Sequence, residues 1–465
     1  MNVPLNSPGY FLGRVVTYTS TITLSSFYFG YNIGVFNSCQ DSVAAALDWG
    51  EQKTLLITLF TAAFPLGAML TSLAAGQAME KWGKRRVSIW AALAGMLVSL
   101  LNVVPTTYTF GLARLLAGAV SGFMAALPPL FINDVIPMKL YGRASLIIQT
   151  MLTFGIVIAQ ALALPLPTGH YSEHATNWMW MLVFGFPAVV MGVQALIFWR
   201  VAKYESPLWC LQQRNREAAL QFYRYMYREE AALEALAQAE AKMKPTQVEL
   251  KSPGSADSVA AVGVKEFLTA SKFRRMLAVS FVLQSLQQWS GVNAIFSYST
   301  SMFSMPVMEA RLFSLMLGLM NMVSSLAGVP FVDKYGRRML MLLGTLGCTA
   351  SLAAAGVASL MGITVLSVVT MLAFIVFFEL SLGPLVWVYT GELLFDRAMS
   401  VAVLVNWASY FLVVLTFPLI QQVGIWYCFW LYSGLLLVGE GFFWCALIET
   451  KGLSKQEIQA RFMAN

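Results

Sequence analysis

The stretch 282–300, "VLQSLQQWSGVNAIFSYST", sets three glutamines and an asparagine inside an otherwise largely apolar run. Gln284, Gln287, Gln288 and Gly291 fall at i, i+3, i+4 and i+7, the spacing of one helix face. Three amides on a face at lipid depth are costly against hydrocarbon, so this face is expected to line a wet cavity. Amide bonding between helices is the other use of such residues. Gly291 after Ser290 weakens the helix there and lets Asn293 turn inward despite its different phase. An amide both donates and accepts hydrogen bonds, as a sugar hydroxyl does. The chemistry suited to this face is recognition of a neutral, hydroxyl-rich solute, for which a fixed charge would add only desolvation cost.

The same residue types recur deep in other apolar runs: Asn32, Gln149, Gln160, Asn321, and Asn406 beside Trp407. Trp387 offers a flat surface to the apolar face of a ring, or a packing or interface anchor. In "FFELSLGPLVWVYTGE" (377–392), Glu379 is the carboxylate expected closest to such a site, to bond a hydroxyl or to titrate. Gly383-Pro384 in that string is expected to break its helix, because proline lacks an amide hydrogen and clashes with the preceding turn. A broken helix beside a cavity is a natural gate. No nucleophile–base pair, phosphate loop or metal-ligand spacing appears, so neither an enzyme, a cofactor nor a metal is expected. The five cysteines, at 39, 210, 348, 428 and 445, imply no disulfide framework.

The elements that must position these residues follow from composition. Of the 465 residues, 58% are hydrophobic and 11% charged, against about 45–50% and about 25% in soluble domains. Apolar segments recur at 15–37, 54–78, 87–105, 109–135, 144–166 and 178–200, then at 276–304, 311–332, 339–359, 363–393, 397–422 and 425–447. Each reaches the roughly 20 residues a membrane-crossing helix needs. Backbone groups in lipid must pair within the segment, so these are helices, and the expected fold is an all-α membrane protein of twelve spans. With both termini in the cytoplasm, 27 of the 30 Lys and Arg fall on the inner side and only Lys53, Arg114 and Arg311 on the outer. The net charge of +7 is this bias, attracted to anionic lipid, and not a nucleic-acid footprint.

Residues 201–273 interrupt the hydrophobic rhythm. "REEAALEALAQAEAKM" (228–243) reads as an amphipathic helix and "SPGSADS" (252–258) as flexible linker. The expected organisation is a six-helix half (1–200), a cytoplasmic helical linker (201–273), a second six-helix half (274–447) and a cytoplasmic tail (448–465). The halves repeat each other. "EKWGKRR" (80–86) after the second segment answers "DKYGRR" (333–338) after the eighth, and "PLFINDVIP" (129–137) answers "YTGELLF" (389–395). Parallel repeats of this kind place a substrate site at mid-membrane between them. The basic boxes are expected to pair with acids at neighbouring helix ends, in a network of Glu80, Arg85, Asp134, Arg143, Asp333, Arg337, Glu392 and Arg397 that latches the cytoplasmic side in one state; plain topology-setting charge is the other reading.

An ordered series of strings resembles the sugar porter family of the major facilitator superfamily, above all its facilitative glucose transporter branch. It runs from "FGYNIGVFN" (29–37) through the two basic boxes, "RLLAG" (114–118), "PLFINDVIP" and "YESPLWCL" (204–211) to "IETKG" (448–452). "QQWSGVNAIFSYS" (287–299) is the most specific member. The resemblance implies the major facilitator fold and sugar-binding positions at Gln149, Gln287, Gln288, Asn293, Asn321, Glu379, Trp387 and Asn406, with Gln160, Gln284 and Trp407 as neighbours. It implies gating positions at Asn32, Ser297, Tyr298, Gly383 and Pro384. The chain departs from the family at Tyr141, Asn133-Asp134, Tyr204, Leu208, Ile448, Ser381-Leu382, Val386 and Ser297, which bears on the gates more than on the sugar site. Glu440, deep in the last segment, has no role in that picture.

Proton-coupled members of the family carry an Asp at the position of Asn32, and an amide cannot take up a proton. The expectation is therefore facilitative uniport of a hexose, glucose first, in a multi-pass plasma-membrane protein that works as a monomer. Proton symport through Glu379 or Glu440 is the runner-up; a non-transporting sugar sensor is the alternative from another class.

Overall fold

The computed structural model describes residues 9–167, 178–243 and 264–463; at a few helical positions, among them Arg143, Asp333 and Arg397, only the backbone is described. The first half holds α1 (Leu12–Ala46), α2 (Lys53–Trp82), α3 (Lys84–Asn102), α4 (Thr107–Val135), α5 (Met138–Leu162) and α6 (Met179–Arg200). The insert holds α7 (Pro207–Gln212), α8 (Arg216–Met226), α9 (Glu229–Met243) and α10 (Val264–Thr269). The second half holds α11 (Arg274–Trp289), α12 (Val292–Tyr298), α13 (Val307–Tyr335), α14 (Arg337–Leu360), α15 (Thr364–Leu380), α16 (Leu382–Leu393), α17 (Asp396–Gln421) and α18 (Ile425–Ala446), followed by α19 (Lys455–Met463). Two spans are broken, α11–α12 and α15–α16, so the described helices make twelve spans.

Eight of these spans are long and apolar enough to cross a membrane by composition alone. The other four are α1, α3, α5 and the broken α11–α12. In α1 hydroxyls and amides stand where hydrocarbon is usual, and the helix satisfies them itself: Thr19 and Thr23 each donate to the carbonyl four residues back at 2.9 Å, and Asn32 to Tyr28 at 3.0 Å. Glycine lets helix backbones touch, since a β-carbon at Gly30 would meet the Leu152 carbonyl of α5 and one at Gly118 the Phe64 carbonyl of α2. Leu70, Leu97, Leu196, Leu343 and Val438 stay exposed, as a lipid-facing belt requires.

The duplication is visible in the packing. In the first half α2 packs on α4, α1 on α5 and α3 on α6; in the second α13 packs on α15, α11 on α17 and α14 on α18. Between halves, α2 meets α17 and α5 meets α13. One apolar core unites both halves near the ends of α1 and α2 remote from the basic boxes, through Val35, Phe36, Phe64, Phe296 and Phe417. A second core lies at the basic-box end of the first half alone, where Phe222, Met226 and Leu236 of the insert close over Val15, Tyr18 and Val87. The insert is thus divided: α7–α9 belong to the first half, while α10 packs Phe267 against the rings of Phe273 and Phe395 of the second.

Candidate functional site

The amide face of α11 meets α17 and α16, the second piece of the broken tenth span. Asn406 sits at the hub. Its amide nitrogen donates to Gln284 Oε1 at 2.8 Å and Gln287 Oε1 at 2.7 Å, while its oxygen accepts from Gln288 Nε2 at 3.0 Å. Gln284 donates to the Thr390 hydroxyl at 3.1 Å, and Gln287 to the carbonyls of Leu382 and Gly383, each at 2.9 Å. Asn293 donates to Gln288 Oε1. Gln284, Gln287, Gln288 and Asn406 are all buried, and Asn293 half-buried. Each amide holds its neighbour's orientation, so donors and acceptors are preset.

Backbone geometry explains why Asn293 joins. Gly291 has φ +83°, a left-handed conformation that ends α11 and restarts the helix as α12. Any β-carbon there would strike the Tyr432 ring at 2.5 Å. The tenth span breaks two residues before the expected Gly383-Pro384. Ser381 carries the irregular backbone (φ −137°, ψ −94°), and Pro384 falls in the first turn of α16, where its missing N–H costs little. Gly383 still borders the site, since its carbonyl accepts from Gln287 and a β-carbon added there would lie 3.4 Å from the Glu379 carboxyl carbon.

A second polar group adjoins the first. Asn321 of α13 donates to Glu379 Oε1 at 2.9 Å, and Gln149 of α5 reaches the same carboxyl from the first half. Glu379 is 3% exposed and its Oε2 has no hydrogen-bond partner. Trp387 stands apart: the residue is 37% exposed and lies outside the hydrogen-bonded cluster. Trp407 is buried between the halves, 5.6 Å from Phe29 and 6.5 Å from Phe64 by ring centroids. Gln160, buried against α13, has neither amide atom partnered.

Of the residues named as gates, Asn32, Ser297 and Tyr298 lie toward the end of the molecule away from the basic boxes, while Gly383 and Pro384 stay at the tenth-span break. Asn32 bonds within its own helix, and its carbonyl accepts from buried Arg114 at 3.4 Å, whose guanidinium lies over Phe36 and Phe64. Ser297 lies beside Tyr410, and the Tyr298 hydroxyl donates to the Val414 carbonyl at 2.8 Å while its ring stacks on Phe417. Beyond them is a cluster the sequence reading missed. Asn37 of α1 donates to Ser299 at 2.7 Å and Ser314 at 3.1 Å, Thr300 donates to Asn37 Oδ1 at 2.9 Å, and Gln40 to Thr300 at 2.9 Å. The available signal was Asn37, one further amide in the string that supplied Asn32.

At the basic face the expected network is corrected in register. Lys84, not Arg85, pairs with Asp134 at 2.5 Å, and in the second half Arg337 pairs with Glu392 at 3.1 Å. Arg85 instead donates to the carbonyls of Phe198 (2.7 Å) and Ala202 (2.8 Å) at the end of α6, where cations favour the helix dipole. Arg338 does the same for α18 at Trp444. Glu80 is exposed and contributes only its carbonyl, to Trp209. The side chains of Arg143, Asp333 and Arg397 lie outside the described residues. One further acid completes each box. Glu205 accepts from the Arg85 amide at 2.7 Å, and Glu449 from those of Arg337 and Arg338 at 2.9 and 3.1 Å. Both close on a glycine with positive φ, Gly83 (+90°) or Gly336 (+84°). Burial opposes ionisation of Glu449, but backbone N–H groups of Lys451, Arg337, Arg338 and Thr450 outweigh it and hold the carboxyl below its ordinary range. The described ion pairs of these boxes all stay within one half, so in this state they tie helices of a half together instead of latching the halves to each other.

The family model "Sugar (and other) transporter" matches residues 18–462. The chain belongs to the sugar porter family. Among its relatives, facilitated glucose transporter member 4 of Mus musculus is 30% identical over 97% of this chain and 91% of its own. Member 3 of Canis lupus familiaris is 28% identical over 95% and 91%, and member 1 of Gallus gallus 29% over 97% and 93%. The xylose transporter XylE from E. coli, in a partially occluded inward open conformation, superposes with a TM-score of 0.79 at 20% identity, covering 95% of this chain and all of that one. Likeness at that identity shows the major facilitator fold. This sugar porter is therefore an integral, multi-pass membrane protein that transports sugar, and not an enzyme.

Proposed function

We propose that this sugar porter passes a hexose, D-glucose first, down its gradient by alternating access, without proton coupling. The observation that carries the reading is the preset amide cluster around Asn406, whose side chains offer donors and acceptors but no charge. Gln149, Asn321 and Glu379 supply the remaining hydroxyl partners, and Trp387 a face for the ring. Gln284, Gln287, Gln288, Asn293 and Asn406 bind from the second half. The relatives named as facilitated glucose transporters support glucose, and Asn32, an amide bonded to its own helix, supports uniport. Residues 1–200 and 274–447 act as the two rocking bodies, 201–273 as their connection and 448–465 as a tail. The basic face is cytoplasmic, the membrane is the plasma membrane, and one chain suffices.

Symport is the second reading, favoured by one feature: Glu379 is buried with an unpartnered oxygen beside the sugar site. Counterflow of labelled D-glucose in proteoliposomes, competed by fructose, galactose, mannose and xylose, tests both substrate and mechanism. Uniport predicts uptake that neither alkalises the medium nor collapses with a protonophore. Alkalisation with collapse would replace it by symport, and binding without counterflow would make the chain a sensor. In Asn406→Leu, where three amides lose their hub, glucose counterflow should fall about 100-fold or more.

A further inference from the structure

On the end of the molecule remote from the basic boxes, α13 turns one stripe toward the first half: Arg311, Ser314, Gly318 and Asn321, at i, i+3, i+7 and i+10. Asn321 belongs to the sugar site, Gly318 packs on Gln160, and Ser314 bonds Asn37. Arg311 ends the stripe and is 2% exposed. Its Nη1 donates to the Leu166 carbonyl, and its Nη2 to the Pro167 carbonyl at 3.4 Å and to the Ser42 hydroxyl at 3.3 Å. Leu166 and Pro167 follow the C-terminus of α5, and Ser42 lies in the last turns of α1. One side chain of the second half therefore grips two separate elements of the first.

The chemistry suits a state-specific contact. Guanidinium presents five donors in a rigid fork, so it can serve several oxygens at once where an ammonium acts as a point charge. The backbone just beyond α5 offers carbonyls at the negative end of a helix dipole. These bonds exist only while α13 and the α5 end are apposed, and opening that face must part them. A contact made in one conformation and lost in the other shifts the balance between the two by its differential free energy. The adjoining bonds of Asn37, Gln40, Ser299 and Thr300 cross the same seam but are neutral.

We propose that Arg311 is a positioning residue of the transport cycle: by gripping Leu166, Pro167 and Ser42 it clasps shut the face opposite the basic boxes. The proposal rests on the alternating-access reading above and adds the residue that sets its resting balance.

The test places spin labels at Gln52 and Gln422, exposed positions on that face in different halves, in the full-length protein with Cys445→Ser. Arg311→Gln should raise the long-distance population about tenfold over native, and Arg311→Lys should fall between the two. Apparent affinity scales with the population of the competent state. Half-saturation for glucose offered from this face should therefore drop in Arg311→Gln by a similar factor, with no such drop from the basic face. Should Arg311→Gln not fold, Ser42→Ala removes a single acceptor and should give a smaller shift of the same sign. An unchanged distance distribution in the folded variant, with native counterflow intact, overturns the clasp. Shifted distances in a native protein without counterflow would overturn the transport reading and leave the clasp standing.

Discussion

The two ends of this transporter are built from different bonds. At the basic end, charge closes inward on each half: Lys84 on Asp134, Arg337 on Glu392, Glu205 and Glu449 on the amides that follow Gly83 and Gly336. At the other end the bonds run across the seam, from Asn37, Gln40 and Arg311 to partners that are hydroxyls and carbonyls. Ion pairs within a half make it move as one body. Neutral or single-ended contacts between halves can be made and broken without stranding a buried counterion, whose exposure or burial would cost several kcal/mol. Rigidity is assigned to charge and exchange to dipoles.

That division can be broken from either end. The largest effect is expected at the basic box of the second half. Gly336→Val forces a β-branched residue to φ +84° and puts a β-carbon about 2.6 Å from a Glu449 oxygen. It should cost about 3 kcal/mol or more, read as loss of folded protein and a lowered Tm in detergent. Next, Lys84→Met takes the cation from Asp134, whose side chain is 5% exposed and is left with the Ser206 hydroxyl as a donor. A cost of about 2–4 kcal/mol is expected, and Lys84→Met with Asp134→Asn should recover most of it. If the single variant instead kept its stability but raised transport, the pair would be an inter-state latch and the contrast would fail.

A smaller effect is expected across the seam. Asn37→Leu removes neutral bonds worth about 1 kcal/mol each, so Tm should change little. The half-saturation for sugar offered from that face should fall several-fold instead. The smallest effect concerns pH. The folded state holds the Glu449 carboxyl low, so its contribution is present above the ordinary carboxylate range and is lost as pH falls through the depressed folded value. Native protein should therefore lose Tm below about pH 4.3, and Glu449→Gln should start lower and lose less.

Much of this architecture is legible in the amino-acid sequence. Twelve apolar runs carried the fold, and the i, i+3, i+4 spacing of Gln284, Gln287 and Gln288 carried the amide face, because both signals are local and periodic. Gly291 also announced its break, since only glycine sits at a positive φ without strain. What escaped were partners fixed by tertiary approach. Nothing in the string around Thr390 says that it would meet Gln284, nor around Ser299 that it would meet Asn37. The box register was misread by one residue because "GKRR" offers three adjacent cations, and only the exit angle after Gly83 decides which faces α4. The tenth-span break was placed at Pro384 when the proline in fact opens the next helix.

The left-handed turn at Gly291 leaves α12 only seven residues long, about 10 Å of helix. So short a piece cannot sustain itself through its own hydrogen-bond ladder. Its shape is borrowed from the surfaces around it, Tyr432 and Val414 on one side and the first half on the other. When those surfaces separate, α12 has little stiffness of its own with which to resist, and the seventh span can yield at its outer third while the amide face of α11 stays where it is. The sugar site and the door beside it are thus made from one stretch of chain with two mechanical moduli.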